Sequence, residues 1–321
     1  MDNQLIKQTA LETIQLEKTA IEQLSNFIDD GFASAIECLH QCTGRVIVSG
    51  IGKSAIIAQK IVATFNSTGT PAVFMHAADA IHGDLGMMQQ ADIAIVISKS
   101  GESAEIKVLI PLIKNFGNTL IAICGNKKSF LATQSDFFID TTVAIEACPN
   151  NLAPTTSTTA QLVMGDAIAV CLLKMKGFSA SDFAKYHPGG ALGKQLYLKV
   201  QSLSNIHEKP QVYEFDSIKK VIIEITHKRL GATVVLNENN HIKGIITDGD
   251  IRRMLEKNTD FNKMSAQDIM NTQPKTIDAD DLAVNALEVM RNYNISQLIV
   301  TSGENYIGMV HIHDLINEGI H

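Results

Sequence analysis

The chain has 321 residues, 45% of them hydrophobic, and its 27 Lys and Arg against 34 Asp and Glu leave a net charge of -7. A single core stops growing near ~250 to 300 residues, so two domains of modest size are expected. The charge is spread without blocks, Lys127-Lys128 being the longest basic cluster, which excludes a nucleic-acid or anionic-membrane surface and requires any anionic substrate to be gripped locally.

Met1, Asp2, Asn3 and Gln4 show no basic stretch leading into an apolar one. The apolar run Ala160 to Met175 is broken by Asp166 and falls short of the ~18 to 20 residues of a membrane span. A soluble cytoplasmic protein is expected. From Asn3 to about Cys42, apolar residues including Leu5, Leu11, Ile14, Ile21 and Leu24 recur near helical spacing, which predicts a helical lead-in suited to packing or oligomer contacts. Cys38 and Cys42 share a face of it and read as small apolar packing residues. Five cysteines without a CxxC pair imply neither a disulfide frame nor a cysteine zinc site.

Short β-branched runs then alternate with helical stretches: Val46 to Val48, a helix from Ser54, Ala72 to Phe74, Ile93 to Ile97, a helix from Ser103, Leu120 to Ile123 and Phe137 to Ile139. Nearly continuous apolar strands between helices predict an α/β fold with a doubly wound parallel sheet, covered on both faces. Its ligand belongs beyond the carboxyl ends of the strands, at helix N-termini whose free N–H groups suit phosphate.

The motifs sit at those places. Gly50-Ile51-Gly52-Lys53-Ser54-Ala55 follows the first strand; two glycines admit a tight turn against an anion, and Lys53 can reach what lies over the loop. A P-loop would need glycine at 47, where Ile47 stands, and a dinucleotide site would want an acid where the next strand ends in Met75-His76. Ser98-Lys99-Ser100-Gly101-Glu102-Ser103 opens a helix, and Ser98, Ser100 and Ser103 suit a phosphate monoester, with ordinary N-capping as the competing explanation. Glu105 stands just beyond. His76 and His82 are six apart, unlike the i, i+4 pair of a helix-borne metal site, and His82 beside Gly83 is an acid–base candidate. Glu146-Ala147-Cys148-Pro149 ends a strand region, Ala153 to Thr159 caps an apolar helix to about Met175, and His187-Pro188-Gly189-Gly190 reads as a rigid polar loop.

The last third is an internal duplication. An offset of 64 residues places Pro210 on Pro274, Asp216 on Asp280, Val235 on Ile299, Gly244 on Gly308 and Asp250 on Asp314. Each copy predicts an amphipathic helix, a strand, a polar turn and a second strand leading into a helix, a C-terminal α+β module. The expected domains are 1–200, 201–261 and 265–321.

Seven motifs in order, GIGKSA at 50–55, FNSTGTP at 65–71, HGDLG at 82–86, SGES at 100–103, EACP at 146–149, LAPTTSTT at 152–159 and HPGGALG at 187–193, together resemble the arabinose 5-phosphate isomerase family. That family has a sugar isomerase domain followed by two cystathionine-beta-synthase-type repeats. The resemblance implies interconversion of D-ribulose 5-phosphate and D-arabinose 5-phosphate for the octulosonate of lipopolysaccharide, with no cofactor required, and a homo-tetramer. It places Lys53, Glu105, Glu146 and His187 on catalytically relevant positions, His82 on an active-site histidine, His76 on the position of an inhibitory zinc, and Gly69 and Thr70 on substrate contacts. Enediolate chemistry needs a base, a proton carrier and charge for the oxyanion, and Glu105 or Glu146 serves as base if burial raises its pKa. The repeats resemble nucleotide-sensing modules in which Thr247 and Asp250 hold a ligand; in the second copy His311 stands where Thr247 stood. A phosphosugar-responsive regulator, or an isomerase of another sugar phosphate, is the alternative, and no basic recognition helix supports the former.

Overall fold

The computed structural model describes residues 3–257 and 260–321; Met1 and Asp2, part of the N-terminal reading, and Asn258 and Thr259, part of the first repeat, lie outside the described residues. The chain divides into two compact units, Met1–Tyr186 and His187–His321.

In the first unit the lead-in is two helices. α1 (Asn3–Leu24) ends at a short turn, Ser25–Phe27, and α2 (Asp30–His40) starts afresh with Asp29 accepting the Phe32 N–H at 2.9 Å. Apolar periodicity runs through this break, but Ser25, Asn26, Asp29 and Gly31 favour a cap over a continuous helix. Then follow β1 (Val46–Gly50), α3 (Lys53–Ser67), β2 (Ala72–His76), α4 (Ala77–Ala80), β3 (Ile93–Ser98), α5 (Ala104–Asn115), β4 (Thr119–Cys124), α6 (Phe130–Gln134), β5 (Phe137–Asp140), α7 (Thr156–Met175) and α8 (Ala180–Tyr186). The five strands form one parallel sheet of order β2-β1-β3-β4-β5.

Alternate side chains of the strands bury on opposite faces. Val46, Val48, Ile95, Ile97, Ile121 and Ile123 meet α2, α3 and α7, while Ile47, Ala94, Val96, Leu120 and Ala122 meet α5 and α4. Burial on both faces is why the strands read as unbroken apolar runs. By length and composition α7 could cross a membrane. Here Ala160, Met164, Ile168 and Leu172 bury in the core and Asp166 pairs with Lys60 on α3.

The second unit begins with α9 (Ala191–Tyr197) and α10 (Val200–Ser204). It starts ahead of the boundary expected at 200 because Leu198 joins its core, the Leu198 carbonyl accepts from Ala283 N–H, and Lys194 pairs with Glu318 at 2.6 Å. The first repeat is β6 (Gln211–Tyr213), α11 (Ile218–Lys228), β7 (Ala232–Leu236), β8 (Ile242–Thr247) and α12 (Asp248–Glu256); the second is β9 (Thr276–Asp278), α13 (Ala283–Tyr293), β10 (Gln297–Ser302), β11 (Asn305–His311) and α14 (Ile312–Asn317). Each builds a three-stranded sheet. The short β6 and β9 pair in parallel with the central strands and were not anticipated, since three residues carry too little pattern to be read.

Candidate active site and repeat cleft

The order β2-β1-β3-β4-β5 reverses direction between β1 and β3, the place where open α/β sheets bind ligands. Gly50 pairs with Ile97 there, so the loops leaving β1 and β3 lie side by side. Gly52 has φ +57°, a conformation that favours glycine, and it lets the chain turn at once into α3. Lys53 is the first residue of that helix, exposed and without an ion-pair partner among the described residues.

The serine loop divides its hydroxyls between two jobs. Ser98 Oγ accepts the Gly101 N–H at 3.0 Å and Ser100 Oγ the Glu102 N–H at 3.3 Å, which shape the turn. Ser103 is the N-cap residue of α5, yet its side chain makes no cap bond, and its Oγ is buried without a partner among the described residues. A buried hydroxyl left unpaired costs ~1 to 3 kcal/mol, so N-capping does not account for it. Glu102 is spent on Lys107 at 2.7 Å and the Phe130 N–H at 2.6 Å. Glu105, in the first turn of α5, is half-buried and has no hydrogen-bond or ion-pair partner among the described residues.

Glu146 lies in the irregular segment between β5 and α7, not at a strand end as its apolar neighbours suggested, because its backbone is taken by that loop: its N–H donates to Asn151 Oδ1 at 2.8 Å. Its side chain is fully buried and faces Lys99 Nζ at 2.6 Å. Ser157 Oγ donates to it at 2.5 Å, Ser157 N–H at 3.1 Å, Thr155 N–H at 2.8 Å and Thr155 Oγ at 3.2 Å. Burial alone would raise its pKa, but the hydrogen bonds from Lys99, Ser157 and Thr155 outweigh it and lower it to about 2. The condition set for Glu146 as a base, a raised pKa, is therefore not met. Neither Lys99 nor the Ser157 and Thr155 donors was singled out from sequence; nothing local couples Lys99 to a glutamate so distant in the chain.

His76 ends β2 and His82 follows α4 on an exposed turn, both on this edge of the sheet. His76 Nδ1 is buried, 3.5 Å from Asp79 Oδ2. Among the described residues no group of three or more His, Cys, Asp or Glu is arranged to hold a metal ion, so the zinc expected at His76 finds no cluster there. Gly69 and Thr70 precede β2 and so lie at the opposite edge of the sheet from these loops. Thr70 is buried, with its Oγ accepting from Lys176 Nζ at 2.7 Å; Gly69 has φ +79°, and a Cβ would stand 2.7 Å from the Phe178 ring. His187 opens the second unit.

In the second unit Thr247, Asp250, Arg253, Lys275, Tyr293 and Gln297 line a cleft of about 340 Å³ between the repeats. Thr247 caps α12 and donates its hydroxyl to Asp250 Oδ2 at 2.6 Å, while Arg253 pairs with Asp250 at 2.6 Å and Lys275 lies 4.2 Å from the Tyr293 ring centroid. The basic and aromatic members come largely from the other repeat and were not foreseen. In the second copy His311 caps α14 with its imidazole, and His207 Nε2 stands 2.9 Å from Asp314 Oδ2, on the carboxylate equivalent to Asp250.

Fold and site together define a doubly wound parallel-sheet domain with a candidate anion site at its switch point, followed by a tandem-repeat module. The SIS domain family matches residues 39–171 and the CBS domain family residues 203–257 and 266–321. The chain is 47% identical to arabinose 5-phosphate isomerase KdsD of Francisella tularensis subsp. tularensis over 96% of this chain and 95% of that protein, and 45% identical to that of Pseudomonas aeruginosa over 97% and 96%. An Escherichia coli CFT073 protein solved in complex with arabinose 5-phosphate superposes with a TM-score of 0.57 at 42% identity, covering 59% of this chain and 100% of its own. The chain belongs to the arabinose 5-phosphate isomerase family.

Proposed function

We propose that the chain interconverts D-arabinose 5-phosphate and D-ribulose 5-phosphate through an enediolate, supplying octulosonate synthesis for lipopolysaccharide in the cytoplasm. The unpartnered Ser103 hydroxyl at the N-terminus of α5 carries this reading, as a polar group awaiting an anion where the fold places ligands. Ser103, with the shaped turn of Ser98 and Ser100, takes the phosphate. Binding there orients the reacting carbons. Glu105 is the base and Lys53 stabilises the enediolate oxygen; His82 and His187 open the sugar ring and carry protons. Glu146, held near a pKa of 2, is a fixed anion. No cofactor is required by this residue set.

The curated relatives carry the isomerase name over nearly their whole length, which favours the reaction over ligand sensing alone. We infer further that Thr247 and Asp250, with Lys275 and Arg253 beside them, take a nucleotide-type ligand, and that the apolar stripe of α1, where Leu5, Leu11 and Ile14 are 60%, 67% and 64% exposed, serves a homo-tetramer. The test is turnover of arabinose 5-phosphate by the purified chain beside hexose and other pentose phosphates. No turnover of the pentose pair would overturn the proposal.

A further inference from the structure

Lys99 of the serine loop reaches across to a distant buried carboxylate: Nζ stands 2.6 Å from Glu146 Oε1, with the glutamate side chain fully buried and the lysine 43% exposed. The two ends of this contact are themselves anchored. The Lys99 carbonyl accepts the Gly125 N–H at 3.1 Å, fixing the loop to the end of β4. Glu146 Oε2 collects the Thr155 and Ser157 N–H groups at the start of α7, and Ala147 N–H donates to the hydroxyls of Thr155 and Thr156 at 3.0 Å. A carboxylate with both oxygens saturated has no lone pair left for a substrate proton. It can hold its neighbours in place.

We propose that Lys99 is a positioning residue for the isomerisation: its ammonium fixes the Glu146 carboxylate in one orientation and so locks the serine loop to the N-terminus of α7. The assignment rests on the isomerase reading above. Its physical basis is the cost of a buried carboxylate, which hydroxyl and amide donors alone compensate only in part and an adjacent cation completes. Without Lys99 the carboxylate takes up a proton at higher pH, one acceptor becomes a donor, and the loop carrying Ser100 and Ser103 loses its tie. Placement errors of ~1 Å at such a loop cost roughly 100-fold in rate.

The experiment compares the full-length chain with Lys99→Met and Lys99→Arg, measuring kcat and KM from about pH 5 to about pH 9. Lys99→Met should lower kcat roughly 10- to 100-fold, leave KM within about threefold and move the acid limb of the kcat profile to higher pH; Lys99→Arg should restore most of kcat and the original limb. Wild-type kcat with an unmoved limb in Lys99→Met would overturn the proposal. So would a rise in KM alone, which would make Lys99 a direct phosphate contact. A thermal double-mutant cycle with Glu146→Gln tests the same contact independently of turnover, using Lys99→Ala if Lys99→Met does not fold: the two changes should be strongly non-additive, and additivity would overturn the assignment. Failure of the wild type to convert the pentose pair would sink the isomerase reading, while this cycle still decides whether Lys99 holds Glu146.

Discussion

Ser103→Ala separates phosphate binding from helix capping. An N-cap serine replaced by alanine costs typically ~1 kcal/mol, which in a unit of this size lowers the melting temperature by about 2 to 4 °C. Ser103 makes no such bond, and its Oγ is buried without a partner among the described residues. Its removal should therefore leave the melting temperature unchanged or slightly raised. If the hydroxyl donates to a substrate phosphate, a hydrogen bond to a charged group, worth ~1.5 to 3 kcal/mol, disappears, which raises KM roughly 10- to 150-fold. Differential scanning calorimetry and steady-state kinetics on the same preparation read both quantities. A drop of several degrees with an unchanged KM would refute the reasoning and return Ser103 to ordinary capping.

Glu105→Gln should lower kcat by roughly 100-fold or more while substrate still raises the melting temperature, and wild-type turnover in that variant would remove Glu105 from the chemistry. Glu146 is held near 2, below its ordinary 4.5, so its contribution is complete above about pH 4.5 and is lost as pH falls through about 2. By linkage it is worth on the order of 3 kcal/mol at neutral pH and on the order of 2 at about pH 3.5, so the stability gap between wild type and Glu146→Gln should narrow on acidification; a pH-independent gap would contradict the fixed-anion assignment. In the repeat module, a nucleoside phosphate titrated calorimetrically should bind the wild-type chain, and Asp250→Asn should abolish that binding while leaving kcat within about twofold; undiminished binding would move the ligand away from Asp250.

Much of the first unit was legible in its residues. Strands buried on both faces must be apolar throughout, so Val46 to Val48, Ile93 to Ile97 and Leu120 to Ile123 announced the parallel sheet, and the polar loops between them marked its functional edge. The duplication was equally visible, because Gly244 and Gly308 or Asp250 and Asp314 recur at one offset. Less legible were the elements whose signal is short or interrupted: the turn between α1 and α2 sits inside an apolar periodicity that continues past it, and β6 and β9 are too brief to show a period.

The sequence by itself determined the architecture and the site's chemical inventory, since hydrophobic pattern and local loop chemistry are encoded in neighbouring residues. Only the tertiary structure decided what those residues do to one another. It brought Lys99 to Glu146, one of the two carboxylates that could have been the base, and the hydrogen bonds gathered there lower its pKa. It left the Ser103 hydroxyl unpaired among the described residues, and it placed Gly69 and Thr70 at the far edge of the sheet, beside Lys176 and Phe178. Protonation and pairing depend on burial and on partners distant in the chain, and those exist only once the sheet has folded.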